Sequence, residues 1–200
     1  VLVESADSVG ENSMASGYQS KAIGDYSEAF GYQSIARGDY STAIGKNACA
    51  ADSNSFALGD AAKAQSVNSY AFGKGAIASA RGAIALGSQG LYGFPQELVH
   101  TEASGEYSLA VGLGSKAKQK SSTAIGMSAL ATGPMSVSMG YETHSFGNAS
   151  FAAGFKTFSE GTSSVALGSH CTSKGNSSVA FGSFNMAEGQ SSVAMGQYSA

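Results

Sequence analysis

The sequence predicts an all-β fold, a parallel β-roll wound from 14-residue coils. Three observations predict it: glycines at a fixed spacing, small residues alternating with large ones between them, and a composition too light for a thick core. Glycines recur 14 apart at Gly17, Gly31, Gly45, Gly59, Gly73 and Gly87, and again at Gly112, Gly126, Gly140, Gly154, Gly168, Gly182 and Gly196. A fixed short period marks a solenoid, in which each repeat buries its faces only by stacking on the next.

Each coil reads as two halves. With the anchor glycine as phase 0, a second glycine stands at phase 7, as in Gly10, Gly24, Gly38, Gly105, Gly133, Gly147, Gly161, Gly175 and Gly189. Both phases read as tight turns, where glycine is expected for its tolerance of positive φ. Asp52, Ser66, Ala80 and Gln119 replace it in four coils. Between the turns, side chains alternate as a strand requires. Phases 5, 10 and 12 are serine or alanine in every coil, as in Ala22, Ser27 and Ala29, or Ser173, Ser178 and Ala180. Only small side chains fit there, so two short strands face each other closely across a thin interior. The spacing of two, together with β-branched and aromatic residues at phases 11 and 13, argues against an amphipathic helix.

The two outer faces differ. Phases 11 and 13 carry pairs such as Phe56 and Leu58, Tyr70 and Phe72, Ile84 and Leu86, Val165 and Leu167, Val179 and Phe181, Val193 and Met195. Phases 4 and 6 instead hold Lys21, Lys63, Lys116, Lys118, Glu160 and Lys174. One face is therefore oily along the rod and the other wet. An apolar stripe of that length does not stay in water. Each Val, Leu, Ile or Phe gains roughly 1.5–3 kcal/mol on burial. The interior is already filled, so the stripe is expected to bury against another copy in a closed cyclic oligomer. Phe56, Leu58, Phe72, Ile84, Leu86, Val165, Leu167, Val179, Phe181, Val193 and Met195 are the expected seam. The spacing leaves the number of subunits open. At ~4.8 Å per coil the rod spans about 60 Å.

The 200 residues read as one domain, with coils over 3–87 and 101–200 and an inserted loop over about 90–100. Charged residues are 12%, about half the usual share. A net charge of −3 and a pI near 5.5 argue against a nucleic-acid binder. No apolar run approaches the ~18 residues of a membrane helix. The opening VLVESADSVGENS lacks a basic start and an apolar core, so an export signal and a membrane anchor are expected outside this segment. Gly73-Lys74-Gly75-Ala76-Ile77-Ala78 lacks the third glycine of a dinucleotide loop, and no phosphate-binding loop is present. His100, His144 and His170 are scattered without zinc-ligand spacing. The expectation is a binding or structural protein without catalysis, cofactor or metal.

The recurring strings Asn176-Ser177-Ser178-Val179-Ala180-Phe181-Gly182, Gly161-Thr162-Ser163-Ser164-Val165-Ala166-Leu167-Gly168 and Ser121-Ser122-Thr123-Ala124-Ile125-Gly126 resemble the head repeat of trimeric autotransporter adhesins, the YadA-like heads. The resemblance covers nearly the whole chain. It implies a left-handed parallel β-roll, a homotrimer, exposure on a bacterial outer membrane, and attachment to a host matrix protein, a surface glycan or other cells. Neck, coiled-coil and anchor segments of such adhesins are not found here. Similar repeats occur in phage tail fibres, so a virion fibre segment that recognises a bacterial surface glycan, or a plain spacer within a fibre, are the alternatives.

Several features are candidates for contact. The inserted loop holds Leu91, Tyr92, Phe94, Pro95, Gln96, Glu97, Leu98 and His100. Loops on rigid scaffolds concentrate function, so Leu91, Tyr92, Phe94, Gln96, Glu97 and His100 are candidate ligand contacts; the competing reading is a flap over a subunit seam. Lys116, Lys118 and Lys120 lie at phases 4, 6 and 8 and would form a positive belt suited to anionic glycans, or else a solvated face. Arg37-Gly38-Asp39 spells the integrin-recognition tripeptide, but the preceding coil already reads Gly24-Asp25-Tyr26, so chance accounts for it. Tyr18, Tyr32 and Tyr141 at phase 1, and Tyr26, Tyr40 and Tyr107 at phase 9, are expected to stack along neighbouring coils. Cys49, at outward phase 4, and Cys171, at inward phase 3, lie about nine coils apart, roughly 40 Å, too far for a disulfide.

Overall fold

The computed structural model describes residues 9–93 and 95–199. The part of the first coil on residues 3–8, Phe94 and Ala200 lie outside them. All strands but two fall into two parallel sheets that alternate along the chain. One has 13 strands, from Met14–Ser16 to Val193–Gln197; the other has 12, from Lys21–Ala22 to Met186–Ala187. Among the described residues there is no helix.

The register confirms the spacing. Met14 pairs with Glu28, Glu28 with Thr42 and Thr42 with Phe56, so identical phases stack directly on one another. The stacking survives the insertion, because Ile84 pairs with Leu109 and Ile77 with Glu102. From Thr123–Met127 onward the strands of the first sheet lengthen from three residues to five.

The interior lies where small residues predict it. Ala22, Ser27 and Ala29 are fully buried, as are Ser173, Ser178 and Ala180. Phase 3 is a further inward row, and it holds the bulkiest fully buried side chains: Asn185, Thr101, Thr143, Thr157 and Cys171. Asn185 is satisfied there. Its Nδ2 donates to the Phe181 and Gly196 carbonyls at 2.6 and 2.7 Å, and its Oδ1 accepts from the Ser199 N–H at 2.7 Å.

The interior changes character along the rod. In the first half phase 5 is alanine, and Ser27 and Ser41 have no hydrogen-bond partner for their hydroxyls among the described residues. Further on phase 5 is serine, and hydroxyls pair across the roll: Ser145 with Ser150 at 2.7 Å, Ser159 with Ser164 at 2.7 Å, and Ser173 with Ser178 at 2.6 Å. Ser138 and Thr143 make a similar pair at 2.8 Å.

The turns correct one expectation. Phase-0 glycines do have positive φ, as at Gly168 with 115°. Phase-7 glycines such as Gly24 do not. Their requirement is room: a Cβ on Gly24 would lie 2.1 Å from the Gly38 carbonyl oxygen in the next coil. The left-handed residues of the two turns stand at phases 2 and 9 and are mostly not glycine, including Gln19, Tyr26, Gln33 and Tyr40 with φ of 52–56°. Such backbone persists where its surroundings over-determine it. Here the N–H groups of Tyr26, Gln33 and Tyr40 donate to the Glu11, Tyr18 and Asp25 carbonyls of the preceding coil, all at 2.8 Å.

Candidate functional site

The predicted seam residues all lie on the outer face of the 13-stranded sheet. Val165, Val179 and Val193 stack in register, as do Leu167, Phe181 and Met195. Leu58, Phe72 and Leu86 form a like column in the first half. The Phe56 and Phe72 rings lie 5.4 Å apart. In the single chain this face is open. Phe56, Phe72, Ile84, Val165, Leu167 and Val179 are half-buried, while Leu58, Leu86, Phe181, Val193 and Met195 are exposed, the last two by 62% and 60%.

The inserted loop is an antiparallel hairpin, Gly90–Tyr92 paired with Glu97–Val99. Its two faces differ. Val99 and Tyr92 turn toward the roll. A Cβ on Gly114 would meet the Val99 side chain at 2.8 Å, so the phase-2 glycine leaves the room that Val99 fills. Tyr92 donates its hydroxyl to Glu142 Oε1 and packs edge-on against Tyr141 at 6.2 Å. Glu142 also pairs with Lys156 at 3.3 Å. Partial burial, then the Glu142 carboxylate, push the Tyr92 hydroxyl well above its ordinary pKa. The Tyr92 hydroxyl, with help from Lys156, holds the Glu142 carboxyl below the usual carboxylate range. Leu91 and Leu98 pair directly across the hairpin and turn outward, exposed by 61% and 54%. Gln96 and Glu97 are exposed, and His100 is half-buried. The insertion is thus docked along the turn edge of its own roll by a contact between residues 50 apart.

The lysine row is present but partly answered by acids. Lys116 is half-buried, and Lys118 and Lys120 are exposed. Lys120 pairs with Glu106 at 3.7 Å, and Lys116 stacks on Glu102 of the preceding coil. In the Arg37-Gly38-Asp39 triplet, the Asp39 carboxylate accepts the Asp25 N–H at 3.0 Å, just as Asp25 accepts the Glu11 N–H at 2.8 Å. That aspartate serves the repeat.

Tyr18 stacks on Tyr32 at 5.3 Å and Tyr26 on Tyr40 at 5.1 Å. Tyr107 instead lies over Gly82, where it would meet an added Cβ. Tyr141 begins a longer ladder that sequence reading missed, through Phe155, His170, Phe184 and Tyr198, with ring separations of 4.5–5.3 Å. Both cysteines are free.

Two further surface features went unpredicted. A groove of about 470 Å³ runs between Gln19, Gln33 and Asn47 at phase 2 and Lys21, Ile35 and Cys49 at phase 4. The signal for it is the Tyr-Gln-Ser string of consecutive coils, Tyr18-Gln19-Ser20 and Tyr32-Gln33-Ser34. The second sheet's outer face, expected to be wet, is locally aromatic: His144 packs edge-on against Phe158 at 5.0 Å and Phe146 at 5.6 Å. Burial there lowers the His144 pKa, with Glu142 opposing the shift.

A comparison with curated proteins finds no match. The family profile of the YadA head domain repeat (2 copies) matches residues 8–27, 24–48, 64–89, 103–129, 131–157, 159–185 and 173–199. With the stacked coils and an interior of serine and alanine already described, these matches place the chain in a family: it belongs to the YadA head domain repeats.

Proposed function

We propose that this chain is the left-handed, trimeric head module of a bacterial surface adhesin, attaching the cell to host matrix or host cells through its surface and without catalysis. The observation that carries the reading is the uncovered apolar stripe on a rod of family repeats. Repetition at this fidelity specifies a stiff scaffold, and a stripe on one sheet gives copies of that scaffold a way to associate side by side. Association would leave the second sheet outward, with the side of each turn edge that borders it. The lysine row, the hairpin, the groove and the His144 patch then become the surfaces available to a matrix protein or glycan.

The test is attachment of purified, fluorescently labelled chain to immobilised matrix proteins, glycan arrays and cultured epithelial cells. Saturable attachment lost on exchanging the outward residues at phases 4 and 6 supports an adhesin head. No saturable attachment of the purified chain to any of these surfaces would point to a spacer. Binding confined to bacterial surface glycans would point to a phage fibre.

A further inference from the structure

We propose that the inserted hairpin is an inter-subunit clasp, with its Leu91–Leu98 pair packing on the Met135 turn of a neighbouring copy. The inference rests on the side-by-side assembly proposed above and names a contact within it.

The hairpin is docked rather than loose. Val99 fills the room left by Gly114, and Tyr92 is bonded to Glu142 and packed on Tyr141. Tyr141 ends the strand Val137–Tyr141, whose Val137 and Met139 belong to the apolar stripe. The hairpin is therefore joined to the border of the seam face. Its other face presents two leucines, each more than half exposed, aligned across the strands. A rigid two-stranded element with an outward leucine pair is costly to leave in water, and a pair of side chains is too small to hold an independent partner alone.

Symmetry names the occupant. Each coil has two turn edges, at phases 0–2 and 7–9, flanking the seam sheet. In a cyclic trimer the contacts are heterologous, so one edge of each copy meets the opposite edge of the next. The hairpin lies on the first edge, so it faces the neighbour's phase-9 edge at the same height along the rod. Val99 sits at the coil of Gly114 and Tyr92 at the coil of Glu142, which sets the leucine pair at the intervening coil, that of Ser128. The phase-9 residue of that coil is Met135, which is 57% exposed in the single chain. A flexible thioether is well suited to fill the space between two leucines.

The experiment introduces Leu98→Cys with Met135→Cys in a Cys49→Ser chain; Cys171 is buried in the interior and stays. The two new thiols occupy opposite edges of one roll, so a disulfide between them must join two copies. Covalent dimers and trimers on non-reducing gels are expected under mild oxidation, and neither single cysteine variant should give them. Separately, Leu91→Ser/Leu98→Ser should raise the concentration at which trimers dissociate by about tenfold or more, with the circular dichroism of the roll unchanged. A trimer with no inter-copy disulfide and unaltered dissociation overturns the clasp and leaves the seam standing. A wild-type chain that is monomeric overturns the seam itself.

Discussion

Replacing Gly168 by alanine should weaken the roll by several kilocalories per mole. Two costs add at this position. The backbone has φ of 115°, a region that L-residues occupy at a cost of about 1–3 kcal/mol. The added Cβ would also lie 2.0 Å from the Gly182 carbonyl oxygen in the next coil. Carbon and oxygen at ordinary contact stand about 3.3 Å apart, so the two coils must part by more than an ångström. That strains the strand pairing of Val165–Ser169 with Val179–Ser183, where each hydrogen bond contributes about 0.5–1.5 kcal/mol. The loss comes to about 3–5 kcal/mol, against a typical total of about 5–15 kcal/mol. At about 2–4 °C per kcal/mol for a chain of this size, the melting temperature falls by about 6–20 °C. Thermal melts followed by circular dichroism read the effect. Gly189→Ala is the internal control: it needs no positive φ, and its Cβ would meet nothing closer than Ser192 at 3.6 Å. The reasoning is refuted if Gly168→Ala melts within about 2 °C of wild type, or if the control falls as far.

Further predictions concern the interior, the hairpin and the seam. Ser159→Ala should cost only about 1 kcal/mol in urea unfolding, because Ser164 keeps its 2.7 Å bond to the Gly161 carbonyl; a loss above about 3 kcal/mol would contradict that accounting. The docking of the hairpin depends on ionised Glu142. Its folded pKa is depressed, so the stabilisation is present above the ordinary carboxylate range and is lost as pH falls through the lowered value. Hydrogen exchange of Leu91 and Leu98 amides should speed up on that acid limb in wild type, and Glu142→Gln should flatten the dependence. Phe181→Ser removes a side chain that is 48% exposed in the single chain. It should cost about 1 kcal/mol or more per copy at the seam, weakening the proposed trimer at least about a hundredfold by sedimentation without unfolding the roll.

Much of this structure was legible because the repeat states each requirement thirteen times. The phase-0 glycines, the serine and alanine at phases 5, 10 and 12, and the stripe at 11 and 13 recur often enough to separate inside from outside. Phase 3 was harder to read. It varies among Ser34, Ala48, Thr143, Cys171 and Asn185; the inward placement of Cys171 holds, and burial extends it to the whole row and shows that the row takes the bulkiest interior side chains. The phase-7 glycines were assigned to the right positions for the wrong reason, since steric crowding by the next coil and conformational freedom leave the same residue in the sequence. Left-handed residues such as Tyr26 and Tyr40 resemble no turn signal at all, because the backbone bonds that hold them come from another coil. The insertion was visible as a break in period. Its docking was not, because Tyr92 and Glu142 are 50 residues apart and neither belongs to a motif. The groove beside Gln19 and Gln33 left a trace in the repeated Tyr-Gln-Ser string, but the string alone does not show the cleft that Lys21, Ile35 and Cys49 complete; the His144 patch was hidden by a simpler cause, since positions free to vary carry no periodic signal.

The measurement that bears most directly on this account is the solution mass of the 200-residue chain by sedimentation equilibrium. The proposed trimer, with the stripe of the 13-stranded sheet buried between copies, predicts a mass three times the 20.0 kDa of one chain, persisting at low micromolar concentration. A stable, soluble species at 20.0 kDa would contradict it, since Val193, Met195 and their column would then remain in water with nothing to bury them.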